Sequence, residues 1–155
     1  VSKTIDSNAA PTTVGSRYPT PYDEPCQARF RRRLGDAAGL TQFGVNMTTL
    51  PPGCWSSQRH WHTAEDEFVF VLEGEIVLVT NAGEEILRAG SCAGFKAGAA
   101  DGHQLQNRSD RDAVVLEIGT RRPEDDEVFY PDIDLRLKQG RSGFMRGNGE
   151  PYTGR

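Results

Sequence analysis

What most constrains this chain is how regularly glycine, proline, asparagine and aspartate interrupt it. Between Gln27 and Ile118 no apolar stripe of helical period runs for any length, and short runs follow one another, most of them closed by a turn signal. Gln27–Leu34 alternates, Gly35–Gly39 turns, and Gln42–Leu50 returns with Phe43, Val45 and Met47 on one face. Pro51-Pro52-Gly53 then breaks the chain. Glu67–Glu73 and Glu75–Thr80, rich in Val, Ile and Phe, are the strongest β stretches, and Asn81-Ala82-Gly83-Glu84 turns the second into Glu85–Arg88. Gly90–Ala97, His103–Asn107 and Ala113–Ile118 complete the set. Strands this short and this closely spaced predict an all-β sandwich or barrel. No repeat longer than a hairpin is visible, so the 155 residues make one barrel rather than two.

The ends read differently. Residues 1–25 form a polar arm with Pro11, Pro19, Pro21 and Pro25 and no period, the barrel is assigned to 26–135, and the polar, Gly-rich stretch 136–155 is a tail. Val128-Phe129-Tyr130 either adds a strand or packs across a barrel mouth, where Tyr130 would serve as a lid.

A net charge of −4, from 22 acids against 18 bases, offers no electrostatic reason to expect nucleic acid or an anionic membrane as partner. The local exception, Arg29, Arg31, Arg32 and Arg33 interleaved with Phe30, reads as a solvated edge strand. Cys26, Cys54 and Cys92 are odd in number and widely spaced, so no disulfide framework is implied. The longest apolar run, Phe68–Leu72, is far too short to span a bilayer, no signal peptide is visible, and a cytoplasmic location is the default expectation.

The chemistry concentrates in the histidines, of which there are 3. His60 and His62, two apart in a strand, project to one face. Glu67 follows after a short turn, and His103 stands just ahead of a later strand. Three neutral imidazoles and one carboxylate suit a divalent first-row metal (Zn, Fe, Mn or Ni) and leave open positions for water or substrate. Strand parity turns Val69 and Val71 inward with Glu67, and Leu105 and Asn107 inward with His103, which predicts a largely apolar pocket wall. Asp101, beside His103, is a candidate acid–base group, although an Asp-Gly pair is also ordinary turn chemistry. Trp61 has the opposite parity and should pack outside the cavity. Gln58 and Arg59 are loop residues within reach of a polar substrate.

The spacing of these residues resembles the cupin superfamily. A first motif stands as Gly53, six residues, His60-x-His62, four residues, Glu67, six residues, Gly74. A second stands as Gly90, five residues, Lys96-x-Gly98, four residues, His103, three residues, Asn107. Three departures fall in loops: one extra residue between Gly53 and His60, Lys96 in place of proline, and two extra residues between Gly98 and His103. The resemblance implies a jelly-roll barrel, a metal held by His60, His62, Glu67 and His103, and assembly into a homodimer.

Three functions fit such a chain. The metal could act as a Lewis acid on a small oxygenated substrate, in isomerase or lyase chemistry with Glu67 and Asp101 as catalytic groups; small cupins similar to this one are often labelled sugar-phosphate isomerase-like. An Fe(II) dioxygenase would use the same ligands, and a non-catalytic ligand-binding barrel needs no turnover at all. Basic residues near the ligands number only Arg59 and Lys96 on this reading, so phosphate has little positive support in the sequence.

Overall fold

A computed structural model describes residues 3–138 and 143–153. The strands are β1 (Thr12–Val14), β2 (Phe30–Arg33), β3 (Phe43–Leu50), β4 (Trp61–His62), β5 (Glu67–Glu73), β6 (Glu75–Thr80), β7 (Gly83–Arg88), β8 (Cys92–Phe95), β9 (Gln104–Gln106), β10 (Ala113–Thr120), β11 (Glu127–Tyr130) and β12 (Leu135–Lys138). One helical turn, α1 (Leu34–Ala37), links β2 to β3. One sheet has the order β1-β2-β3-β10-β5-β8, and two three-stranded sheets run β7-β6-β9 and β12-β11-β4. Isolated bridges, His60 to His103 and Trp55 to Gln106, join the two smaller sheets into an opposing layer. The result is an all-β jelly roll, in keeping with the sandwich or barrel that the strand spacing predicts and with the barrel type that the resemblance implies.

Leu50, Val71, Ile76 and Val115 are each 0% exposed in the core between the layers. Burying each such side chain contributes about 1.5–3 kcal/mol. The alternation along β5 follows the sequence pattern: Val69 and Val71 are 7% and 0% exposed, whereas Phe68 and Leu72 are 40% and 39% exposed. The β5–β6 turn depends on Gly74, whose φ is +78° and where a Cβ would lie 2.6 Å from the Asp112 carbonyl oxygen. Only glycine fits there without strain.

The ends of the chain depart from expectation. The basic run is not an edge, because β1 of the N-terminal arm pairs with it, Thr13 opposite Arg31, and takes the outer position. On β2, Arg31 and Arg33 share a parity and line cavities, while the Arg32 guanidinium stacks 5.3 Å over Phe30 on the other face. The C-terminal stretch also does more than trail. β12 crosses the expected boundary at 135/136 and pairs with β11, and Met145 bridges to Arg136 and Pro151. Phe144 and Tyr152 join Tyr18 and Tyr22 of the arm around Val128, Tyr130 and Leu135 in a second core. Scattered aromatics carry no period, yet each buries a large area. Residues 1–2 of the expected arm, and 139–142 and 154–155 of the expected tail, lie outside the described residues. No helix among the described residues is long and apolar enough to cross a membrane.

Candidate metal centre

His60 and His103 face each other across an antiparallel bridge, with His60 N–H donating to the His103 carbonyl at 3.1 Å and His103 N–H to the His60 carbonyl at 2.9 Å. His62 follows on β4, and Glu67 opens β5 on the opposite sheet. Backbone pairing across the barrel therefore brings all four side chains to one point. The Nε2 atoms of His60, His62 and His103 lie 3.4, 3.5 and 2.7 Å from Glu67 Oε2. That oxygen is buried and, although ringed by three imidazoles, has no aligned hydrogen-bond donor. An orphaned carboxylate oxygen facing imidazole nitrogens is a donor set that suits a divalent transition metal. His60, His62 and Glu67 offer ligand atoms close enough together to fit one, and His103 lies against the same Glu67 oxygen.

The far sides of two rings are held in a way that supports this orientation. His60 Nδ1 lies 2.9 Å from the Gln58 carbonyl oxygen and 3.2 Å from Ser57 Oγ. His62 Nδ1 lies 2.7 Å from Asp126 Oδ2, and the other Asp126 oxygen accepts the Ala64 N–H at 2.9 Å. An acceptor on Nδ1 keeps the proton there and leaves the Nε2 lone pair for a metal. His103 is oriented by packing instead: Phe95 stacks on it with ring centroids 3.6 Å apart and planes 3° from parallel.

Charge in this pocket follows from burial and neighbours. Burial alone would raise the Glu67 carboxyl, but the surrounding imidazoles, His60 first, hold it well below the ordinary range. Burial pulls His62 downward, yet Asp126 and then Glu67 outweigh it and push the imidazole up to about 10 without metal. At His103 burial prevails over Glu67 and the value falls below the ordinary one.

The site opens into a cavity of about 320 Å³ whose wall is more polar than the sequence predicted. Arg31 and Glu117 form an ion pair in it at 2.8 Å, and Asn46, Ser57 and Tyr18 add further polar groups. Asn107, expected inside, is fully buried in a structural role, donating at 2.7 Å to the carbonyls of both Leu50 and Arg111. Asp101 is exposed, and its carboxylate accepts the Asn81 N–H at 2.8 Å. It lines a smaller groove of about 250 Å³ together with His62, Glu67 and His103, on the other side of the site from the larger cavity. Arg59 is held by Asp132 in a bidentate pair at 2.8 and 2.7 Å. Gln58 donates to the Tyr22 carbonyl at 2.8 Å and so anchors the arm. The segment carrying Tyr130 does fold back, β11 pairing with β4, and Tyr130 is buried with its ring 5.9 Å from His60.

Two packed antiparallel layers closing over three inward histidines and a glutamate define the class of jelly-roll barrels with a ligand-rich interior. The chain belongs to the cupin superfamily. The Cupin domain family matches residues 46–119. Among solved structures, a Silicibacter pomeroyi protein described as a sugar phosphate isomerase from the cupin superfamily is 45% identical over 97% of this chain and 96% of its own, with a TM-score of 0.91. An Acidithiobacillus ferrooxidans protein, named as a candidate sugar phosphate isomerase, is 29% identical over 83% of this chain and 82% of its own, with a TM-score of 0.72. The polyketide cyclase RemF from Streptomyces resistomycificus shares the fold, with a TM-score of 0.61 at 18% identity over 77% of this chain and 80% of its own. No curated protein matches the sequence.

Proposed function

We propose that this chain is a metal-dependent enzyme of isomerase or lyase type acting on a small oxygenated substrate. The observation that carries the reading is the convergence of three Nε2 atoms on Glu67 Oε2, with His60, Glu67 and His103 lining a cavity with a polar wall. His60, His62, Glu67 and His103 would hold the ion. A divalent metal held there supplies Lewis-acid polarisation of a carbonyl or hydroxyl oxygen. Asp126 and the Gln58 carbonyl keep two of the imidazoles in the ligating tautomer. Glu117, the carboxylate lining the cavity apart from Glu67 among the described residues, exchanges the substrate proton, with Arg31 keeping it oriented. Tyr18, its hydroxyl 3.3 Å from the Gln58 N–H, closes one side of the cavity. The likeness to a protein described as a sugar phosphate isomerase agrees with this chemistry.

The test is to load the purified protein separately with Zn, Mn, Ni and Fe(II) and incubate it with hydroxy-aldehydes and hydroxy-ketones in D₂O. Deuterium entering the carbon next to the carbonyl, followed by proton NMR, is the expected result. Oxygen uptake with Fe(II) and no exchange would replace this reading by a dioxygenase. Saturable ligand binding with neither exchange nor oxygen uptake would replace it by a binding barrel.

A further inference from the structure

Beside the metal cavity lies a second, of about 630 Å³, sharing Tyr18, Arg29, Arg31, Asn46 and Arg121 as walls. Its lining contains five arginines, Arg17, Arg29, Arg31, Arg33 and Arg121, and no carboxylate. Among the described residues, two acids pair with these arginines from outside the lining. Glu117 binds Arg31, and Asp36 is shared by Arg33 at 3.1 Å and Arg121. Five cations against two anions leave a surplus of three positive charges among the described residues around one opening. Among the described residues Arg17 makes no ion pair, and Arg29 bonds only to the carbonyl oxygens of Gly15 and Ser56. Two polar atoms of the lining residues, Arg33 Nε and Ser16 Oγ, are buried without any hydrogen-bond partner. Buried donors are rarely left unpaired unless something else binds them.

The local structure explains how this cluster arises. Arg31 and Arg33 point inward from β2 because alternate residues of a strand share a face. Arg29, two positions earlier, reaches the Gly15 carbonyl with Nε at 3.1 Å and Nη2 at 2.7 Å. Gly15, at φ +77°, ends β1, so this clamp fixes the bend that carries Ser16 and Arg17 over the opening. Glu67 and Arg33 lie on strands three steps apart in the sheet, about 14 Å between backbones, and long side chains reaching inward shorten the gap.

We propose that this second cavity is a phosphate subsite, in which Ser16, Arg17 and Arg33 bind the dianionic end of a phosphorylated substrate whose oxygenated end meets the metal centre. The substrate class rests on the metal-dependent reading given above, whereas binding of the anion does not. A dianion matches the surplus of charge better than a carboxylate, which one bidentate arginine would satisfy. The basic wall comes from the arm and β2, so the arm has a recognition role.

The test is calorimetric titration of the full chain with inorganic phosphate, with and without metal, alongside acetate as a monoanion. Saturable phosphate binding is expected in both forms, acetate binding much more weakly. R17A and R33Q should each weaken phosphate about tenfold or more while leaving metal stoichiometry unchanged. R17A removes an exposed side chain with no ion-pair partner among the described residues, so folding is preserved, and thermal melting checks R33Q. Absence of phosphate binding, acetate binding as tight as phosphate, or unchanged affinity in folded R17A and R33Q would each overturn the subsite. Phosphate binding that persists when no metal can be loaded would sink the Lewis-acid reading and support the subsite.

Discussion

Asp126→Asn is the change that most directly probes how the metal centre is organised. Asp126 is 1% exposed and accepts on both oxygens, from His62 Nδ1–H at 2.7 Å and from Ala64 N–H at 2.9 Å. Asparagine keeps the shape but has one acceptor and one amino group. If its oxygen stays on Ala64, the amino group faces His62 Nδ1 and drives the ring proton to Nε2, the atom needed for a metal. If its oxygen turns to His62, two buried N–H donors confront each other at Ala64. Either arrangement weakens the ligand. Loss of such a partner costs about 10- to 100-fold in metal affinity, which is about 1.4–2.7 kcal/mol. The lost buried hydrogen bond to a charged group would lower stability by about 1.5–3 kcal/mol. Competition with a chromogenic chelator measures the affinity, and urea unfolding of the same preparations measures stability. The reasoning fails if D126N binds metal as tightly as the parent while H62A does not bind it.

Other expectations can be checked as directly. H62A should lose stoichiometric metal by elemental analysis yet retain the β-sheet circular dichroism spectrum, since His62 lies outside the main core cluster. G74A should lose at least about 1–2 kcal/mol in urea unfolding from its left-handed backbone alone, with the contact to the Asp112 carbonyl adding to it. Phe43, Phe68 and Leu72 are exposed on the six-stranded sheet, and a second copy is expected to cover them. Light scattering should then give twice the 17.1 kDa chain mass, falling to a single chain in F68E.

How much of this was legible beforehand depends on how local the cause is. The His60-x-His62 pair and the inward Val69 and Val71 follow from period-two geometry, and the structure keeps them. Asp126 was not legible: it is one acid among several in the Arg121–Glu127 loop, and only the pairing of β11 with β4 selects it. The basic run was legible in parity but misjudged in setting. Arg29, Arg31 and Arg33 alternate as a strand face should, yet the strand covering their edge is three residues of an arm without pattern. Phe144 and Tyr152 are isolated aromatics in a polar stretch, and their contacts with Tyr18 and Tyr22 span nearly the whole chain length. Phe95 lies within a readable strand, but nothing in its neighbours announces that it will stack on His103.

The knitting of the two chain ends into one aromatic cluster also divides the protein's labour. The span matched by the Cupin domain, 46–119, holds His60, His62, Glu67, His103 and Glu117, but neither Tyr18 nor any of the arginines of β2. The groups proposed to hold the metal and move the proton thus sit in the common barrel, and the surface that would discriminate between ligands comes from segments flanking it. A tag, cleavage or graft at either terminus, remote from the metal in sequence, would alter what the barrel admits before it altered what the barrel can do.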